Sequence, residues 1–208
     1  GGAGGAVAAQ HSQSLEALFY HIPGLRVVMP STPYDAKGLL THSLRQDHPV
    51  MFLEHKHLYM TKGMVPEEDY EIEFGKAEVM TEGDDVTIVA WSHMLLKAME
   101  AAETLAAENI RAEVINLRTL SPLDTDTIMT SVAKTNRVVI AQEAVRRGGV
   151  ASDIASYIQE AEFYSLDAPI EIVAGLNIPI PFNLTLEKAS VPQADDIVAA
   201  AKRTLEHA

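Results

Sequence analysis

The sequence predicts an α/β fold built on a mostly parallel sheet, and three observations carry that prediction. Short apolar, β-branched runs recur at residues 25–29, 50–54, 86–91, 112–117, 137–141 and 170–173. Most are separated by stretches whose apolar residues fall three and four apart, the period of an amphipathic helix. The breaks between them carry Pro, Gly and helix-capping residues. Strands alternating with helices form βαβ units, whose strands lie parallel and whose crossovers are right-handed.

The chain opens with glycines at 1, 2, 4 and 5, followed by Ala8-Ala9-Gln10-His11-Ser12-Gln13-Ser14. Residues 13–21 predict a short helix, with Ser12 or Ser14 as its cap and Glu16 in its first turn, ended by Pro23-Gly24. A strand at 25–29 stops at Pro30. Thr32, Pro33 and Asp35 then predict a helix N-terminus, with Asp35 reaching back to the cap. That helix places Ala36, Leu39, Leu40 and Leu44 along one face. Asp47-His48-Pro49 turns the chain into a strand at 50–54. Residues 58–74 have no sustained period and contain the acidic run Pro66-Glu67-Glu68-Asp69, so a linker is expected there.

A second unit follows, with strands at 76–80 and 86–91 and a helix over 93–108. In that helix Leu95, Met99, Ala102, Leu105 and Ala106 point inward, while Lys97, Glu100 and Glu103 point outward. After the strand at 112–117, Ser121-Pro122-Leu123-Asp124 repeats the cap–Pro–x–Asp pattern and predicts a helix to about Lys134. A strand at 137–141, a helix opened by Gly148-Gly149, a strand at 170–173 and a closing helix over 193–205 complete a doubly wound, mostly parallel sheet of about five strands. Domain limits are expected at 1–57, 58–74 and 75–208. The first part holds only two strands, too few for a stable domain by themselves.

Composition narrows the function. A hydrophobic share of 47% in 208 residues supports a real core, with no run long enough for a membrane span. A net charge of −13 argues against a nucleic-acid surface. Cysteine is absent, which removes thiolate chemistry and suits an intracellular protein, with a cytoplasmic location expected (the mitochondrial matrix in a eukaryote), although the absence by itself proves no compartment. No segment reads as membrane-bound or as a secretory leader.

GxxxxGK[ST], GxSxG and HExxH patterns are missing. His11 lies in a loop where glycines let the backbone approach a ligand, although a surface histidine beside a cap has the same pattern. His55 and His57, next to Glu54, read either as metal ligands or, more often in such a place, as exposed or capping residues. Arg146, Arg147 and Arg118 follow strands, where open α/β sheets place ligands, and each also suits an ion pair.

Five runs recur in order: Gln10-His11-Ser12-Gln13-Ser14, Pro23-Gly24-Leu25, residues 31–39, residues 116–124, and Leu166-Asp167-Ala168-Pro169. Together they resemble the beta subunit of the thiamine-diphosphate-dependent, decarboxylating component of 2-oxo acid dehydrogenase complexes, a transketolase-like protein. The resemblance implies the end of a pyrimidine-binding domain followed by a transketolase C-terminal domain.

It also implies that the component decarboxylates a 2-oxo acid and passes the acyl group to lipoamide. Pyruvate is the first choice of substrate, branched-chain 2-oxo acids the second and acetoin the third. His11 is the implied catalytic residue, acting in proton transfer or in guiding the lipoyl group. The family's cofactor-contacting glutamate belongs upstream of this stretch, and the diphosphate with its Mg ion is held by the alpha subunit. This chain alone is therefore expected to be inactive.

A potassium-binding loop of some members would match Ser43, Leu44, Gln46 and His48, with Gln46 in place of the usual acid. Implied partners are the alpha subunit, a second beta subunit and the dihydrolipoyl acyltransferase core. The basic peripheral domain of that core would meet acids such as Glu160, Glu162, Asp167, Glu171, Glu187, Asp195, Asp196 and Glu206. Rival readings are a non-catalytic dimerisation and docking scaffold, and a relative of transketolase or deoxyxylulose-phosphate synthase.

Overall fold

The computed structural model describes residues 1–206. Strands β3 (Glu78–Thr81), β4 (Val86–Ala90), β5 (Ala112–Asn116), β7 (Val138–Val145) and β8 (Glu171–Gly175) form one sheet in the order β3-β5-β4-β7-β8. All its pairs are parallel except the edge pair β3–β5. β4 is buried along its length because helices cover both faces, and successive side chains go to opposite layers. Val86 and Ile88 join Leu95 and Leu105 of α3 (His93–Ala107) and Ile197 of α7 (Ala194–Leu205). Val89 and Trp91 face Ile128 of α4 (Thr125–Thr135) and Ile154 of α5 (Val150–Glu162).

The front of the chain builds a smaller sheet. β1 (Arg26–Val28) pairs in parallel with β2 (Val50–Phe52), and α2 (Pro33–Leu44) crosses between them. The other edge of β1 is taken by β6 (Thr119–Ser121), running antiparallel. Ser121, read as the first residue of a helix cap, thus ends a third strand of the front sheet. Ser121 Oγ donates to Leu25 O at 2.9 Å, and α4 opens four residues later on Asp124, whose carboxylate accepts from Thr127 N at 3.1 Å. β1 is therefore a central strand with Val27 and Val28 fully buried, and the front sheet has three strands where the sequence predicted two. The core behind Val89 and Trp91 runs on through Val27, Met29 and Leu120, so the two sheets share one interior.

Between the sheets lies a buried polar network centred on Asp35. The capping box forms as expected: Asp35 N donates to Thr32 Oγ1 at 3.0 Å, and Thr32 N donates to Asp35 Oδ2 at 3.1 Å. Asp35 also accepts from Asn116 Nδ2 at 2.8 Å and Arg118 Nε at 2.7 Å, both at the end of β5. Arg118 completes its fork on Glu78 at 2.5 Å, so it serves as an ion-pair residue.

Three local expectations change. α2 buries Asp35, Gly38 and Leu39, while Leu40 and Leu44 are exposed, because Ile72 and Val28 meet the helix on the Leu39 side. α1 is short (Glu16–Tyr20) and begins at Leu15 with no side-chain cap, since Ser14 is engaged elsewhere. A helix the sequence reading lacked, α6 (Leu184–Ser190), is capped by Asn183. Residues 61–74 form neither helix nor strand. They pack back on α2 through Ile72 and a Tyr34–Tyr70 stack 4.6 Å apart. No helix among the described residues is long and apolar enough to cross a membrane.

Candidate functional site

The glycine-rich opening, the end of β2 and the start of α3 converge on Glu143, on β7. One carboxylate oxygen, Oε1, accepts from Ala3 N at 2.9 Å and from Ser14 Oγ at 2.8 Å. The other, Oε2, accepts from His55 Nε2 at 2.9 Å and lies 3.5 Å from His93 Nδ1. Burial pushes the Glu143 carboxyl up, but the hydrogen bonds from His55 and His93 outweigh it and hold the group well below the usual carboxylate range.

His55 is buried, and its Nδ1 accepts from His57 N at 3.2 Å at the start of a 3-10 turn over Lys56–Met60. That bond leaves the ring proton on Nε2, where it meets Glu143. The capping reading of His55 is therefore the observed one. The ligand atoms of His55, His93 and Glu143 lie within 4.8 Å of one another, as a metal site requires. With His55 Nε2 2.9 Å and His93 Nδ1 3.5 Å from the same carboxylate oxygen, the trio forms a compact polar cluster. The His55 and His93 rings stack at 4.6 Å, with His57 5.7 Å from His93.

The backbone of the opening fits these rings. Gly2 and Gly4 have φ of +93° and +108°, and a Cβ on either would enter the imidazole of His55 or His57. Ala6 and Ala8 are also left-handed, at φ 50° and 60°, a conformation costing about 1–2 kcal/mol per L-residue. A second carboxylate, that of Glu187, is buried on α6 and accepts from Gly4 N at 2.7 Å and Ala6 N at 2.9 Å.

At the far end of this segment His11 sits exposed in a turn, its N–H donating to Ala8 O at 3.3 Å. Lys56 Nζ donates to its carbonyl. The His11 ring makes no hydrogen bond among the described residues, so it is open to a ligand from outside.

Ser43 and Leu44 lie in the last turn of α2, with Gln46 and His48 just beyond it. Ser43 Oγ donates to Leu39 O at 2.7 Å, Ser43 O accepts from Gln46 N at 3.3 Å, and Gln46 Nε2 contacts His42 at 3.1 Å. Near the end of β7, Gln142 ties the strand to the turn that follows it. It accepts from Ala151 N at 2.9 Å at the start of α5 and donates to Val145 O at 2.8 Å, leaving Arg146 and Arg147 in solvent. Several of the late acids are used internally. Glu187 is buried, Asp196 caps α7, Glu171 pairs with Arg203 at 2.7 Å, and Asp167 pairs with Arg137 at 3.1 Å.

Glu143 and Glu187 escaped the sequence reading as site residues. Each is one acid in an unremarkable run, and apart from His93 beside Glu143 its partners are more than 80 positions away.

Residues 75–197 match the model of the transketolase C-terminal domain, and residues 1–62 that of the transketolase pyrimidine-binding domain. The chain therefore belongs to the transketolase family, in which a pyrimidine-binding segment precedes the C-terminal domain. Among its relatives is the acetoin:2,6-dichlorophenolindophenol oxidoreductase beta subunit of Cupriavidus necator, 51% identical over 99% of this chain and 61% of that protein. The pyruvate dehydrogenase E1 component beta subunit of Rickettsia felis is 48% identical over 97% of this chain and 62% of that protein. A solved structure described as a split-gene transketolase, inactive beta4 tetramer, superposes with a TM-score of 0.79 at 29% identity, over 99% of this chain and 64% of that one. The chain thus spans about three fifths of the curated relatives it matches.

Proposed function

We propose that this chain is part of the beta subunit of a thiamine-diphosphate-dependent 2-oxo acid dehydrogenase component. In the whole assembly it would take part in decarboxylation of a 2-oxo acid and transfer of the acyl group to lipoamide. The observation carrying this reading is the 48% identity to the pyruvate dehydrogenase E1 beta subunit of Rickettsia felis along essentially the whole chain.

Thiamine diphosphate would supply the carbanion-stabilising chemistry. The only cluster of three metal-ligand types among the described residues, His55–His93–Glu143, is closed by its own hydrogen bonds. On the family resemblance, the diphosphate and its Mg ion are assigned to the alpha subunit, and the chain alone to inactivity. His11 is assigned proton transfer at the reacting group or guidance of the lipoyl arm. An exposed imidazole with both ring nitrogens open has one position to donate a proton and one to accept it.

Pyruvate is the substrate we assign. Acetoin is the second reading, favoured by the 51% identity to the Cupriavidus necator subunit. Partners on this reading are the alpha subunit, a second beta subunit and the acyltransferase core.

The test is His11→Ala in the assembled alpha–beta enzyme, assayed with pyruvate and with acetoin, using lipoamide and 2,6-dichlorophenolindophenol as acceptors. Folding stability should shift by under ~0.5 kcal/mol, since the site is exposed. Turnover on the true substrate should fall roughly 10²–10⁴-fold. Full activity in the variant would remove His11 from the chemistry, and no turnover of either substrate by the wild-type assembly would remove the reading itself.

A further inference from the structure

We propose that Glu143 is a positioning residue for His11: its carboxylate closes residues 3–14 into a loop and fixes the turn from which the imidazole is presented. This rests on the functional reading above and deepens it.

The loop is drawn shut at its base. Ala3 N and Ser14 Oγ, eleven positions apart, meet on the same oxygen of Glu143 at 2.9 and 2.8 Å. Gly2 N donates to Gln13 O at 3.3 Å just outside them. Inside, Ala6 and Ala8 keep left-handed dihedrals that an L-residue leaves when it is free to do so. Something must therefore hold them, and the donors that do so are pinned to the C-terminal domain. Glu143 takes Ala3, and Glu187 takes Gly4 at 2.7 Å and Ala6 at 2.9 Å. The turn carrying His11 follows directly, through His11 N to Ala8 O.

Glu143 is itself held in place. His55 donates to its second oxygen from Nε2, the tautomer set by the His57 amide, and His93 approaches the same oxygen from the first turn of α3. A carboxylate is the one side chain of this length that accepts on both oxygens at once. Glutamine turns an NH2 toward one pair of donors, so Glu143→Gln must release either the loop base or the histidine pair. The C-terminal domain thereby sets the geometry of a catalytic residue that belongs to the front of the chain.

The experiment has two arms. Hydrogen exchange on this chain reads the loop directly: Glu143→Gln should speed exchange of the Ala3, Gly4 and Ala6 amides while those of β4 and β5 stay protected. Ser14→Ala, which removes one link and buries no charge, should do the same more weakly, and it serves if the glutamine variant fails to fold. In the assembled enzyme, turnover of pyruvate with lipoamide should fall roughly 10²-fold in kcat with KM little changed, the size expected when a reacting group is displaced by about 1 Å. The double variant with His11→Ala should be no slower than His11→Ala alone.

Unchanged exchange at Ala3, Gly4 and Ala6 in both variants would overturn the proposal. So would an additive double variant, because Glu143 would then act independently of His11. If His11→Ala alone leaves turnover intact, the assignment of His11 to the chemistry fails, while the exchange arm still reports on the loop.

Discussion

Asp35→Ala should be among the most damaging single substitutions in this protein. The Asp35 side chain is fully buried, and it faces an Arg118 guanidinium whose side chain is only 9% exposed, with Nε 2.7 Å from Oδ1. Removing one partner of a buried pair leaves the other charge without compensation and costs about 3–5 kcal/mol. Glu78, 2.5 Å from the other arm of Arg118, keeps half the fork engaged and favours the lower end of that range. Asn116 Nδ2 and Thr32 N lose their acceptor in the same step, adding about 1 kcal/mol. The expected loss is ~4 kcal/mol, close to a thousandfold in the folded-to-unfolded ratio and a large share of a typical 5–15 kcal/mol stability. Urea titration followed by Trp91 fluorescence and far-ultraviolet circular dichroism measures it. The cycle with Arg118→Met should show coupling above ~2 kcal/mol, since the double variant leaves no buried charge unpaired. A loss below ~1 kcal/mol, or additive single variants, would refute the view that this pair joins the two sheets.

Two further outcomes follow from other charges. Glu16 is buried with Oε2 unpartnered, and burial raises its pKa, so the fold favours the protonated acid. Its contribution is fully present below the unfolded value of about 4.3 and is lost as pH rises through the raised folded value. Glu16→Gln should therefore gain on the wild type as pH climbs from about 4 to 7, by ~1 kcal/mol or more, and a melting-temperature difference that ignores pH would refute this. If the acyltransferase core docks by charge, Asp195 is the acid to reverse, because Asp196 is needed to cap α7. Asp195→Lys should slow docking while decarboxylation continues, and added salt should slow docking of both forms, as measured by stopped-flow association.

Short-range signals were legible in the sequence. The Thr32–Asp35 capping box acts across three residues, and the apolar runs at 86–91 and 112–117 are β-rich because both sheet faces are covered. Together they determined the α/β class, the five-stranded main sheet and its order of elements. The runs around His11, 31–39 and 116–124 determined the family.

What the sequence left open depends on residues far apart in the chain, which no local period encodes. Ser121 reads as the start of a helix cap, yet β1 needs a partner on its second edge, and that long-range pairing draws residues 119–121 into a strand. Leu40 and Leu44 continue a helical stripe, but only the position of Ile72 and Val28 determines that Leu39 is the buried one. Glu143 and Glu187 resemble any surface acid until the fold brings donors from 129 to 183 positions away onto them. A buried carboxylate is stable only when its oxygens are satisfied, and tertiary structure alone places the donors that satisfy them.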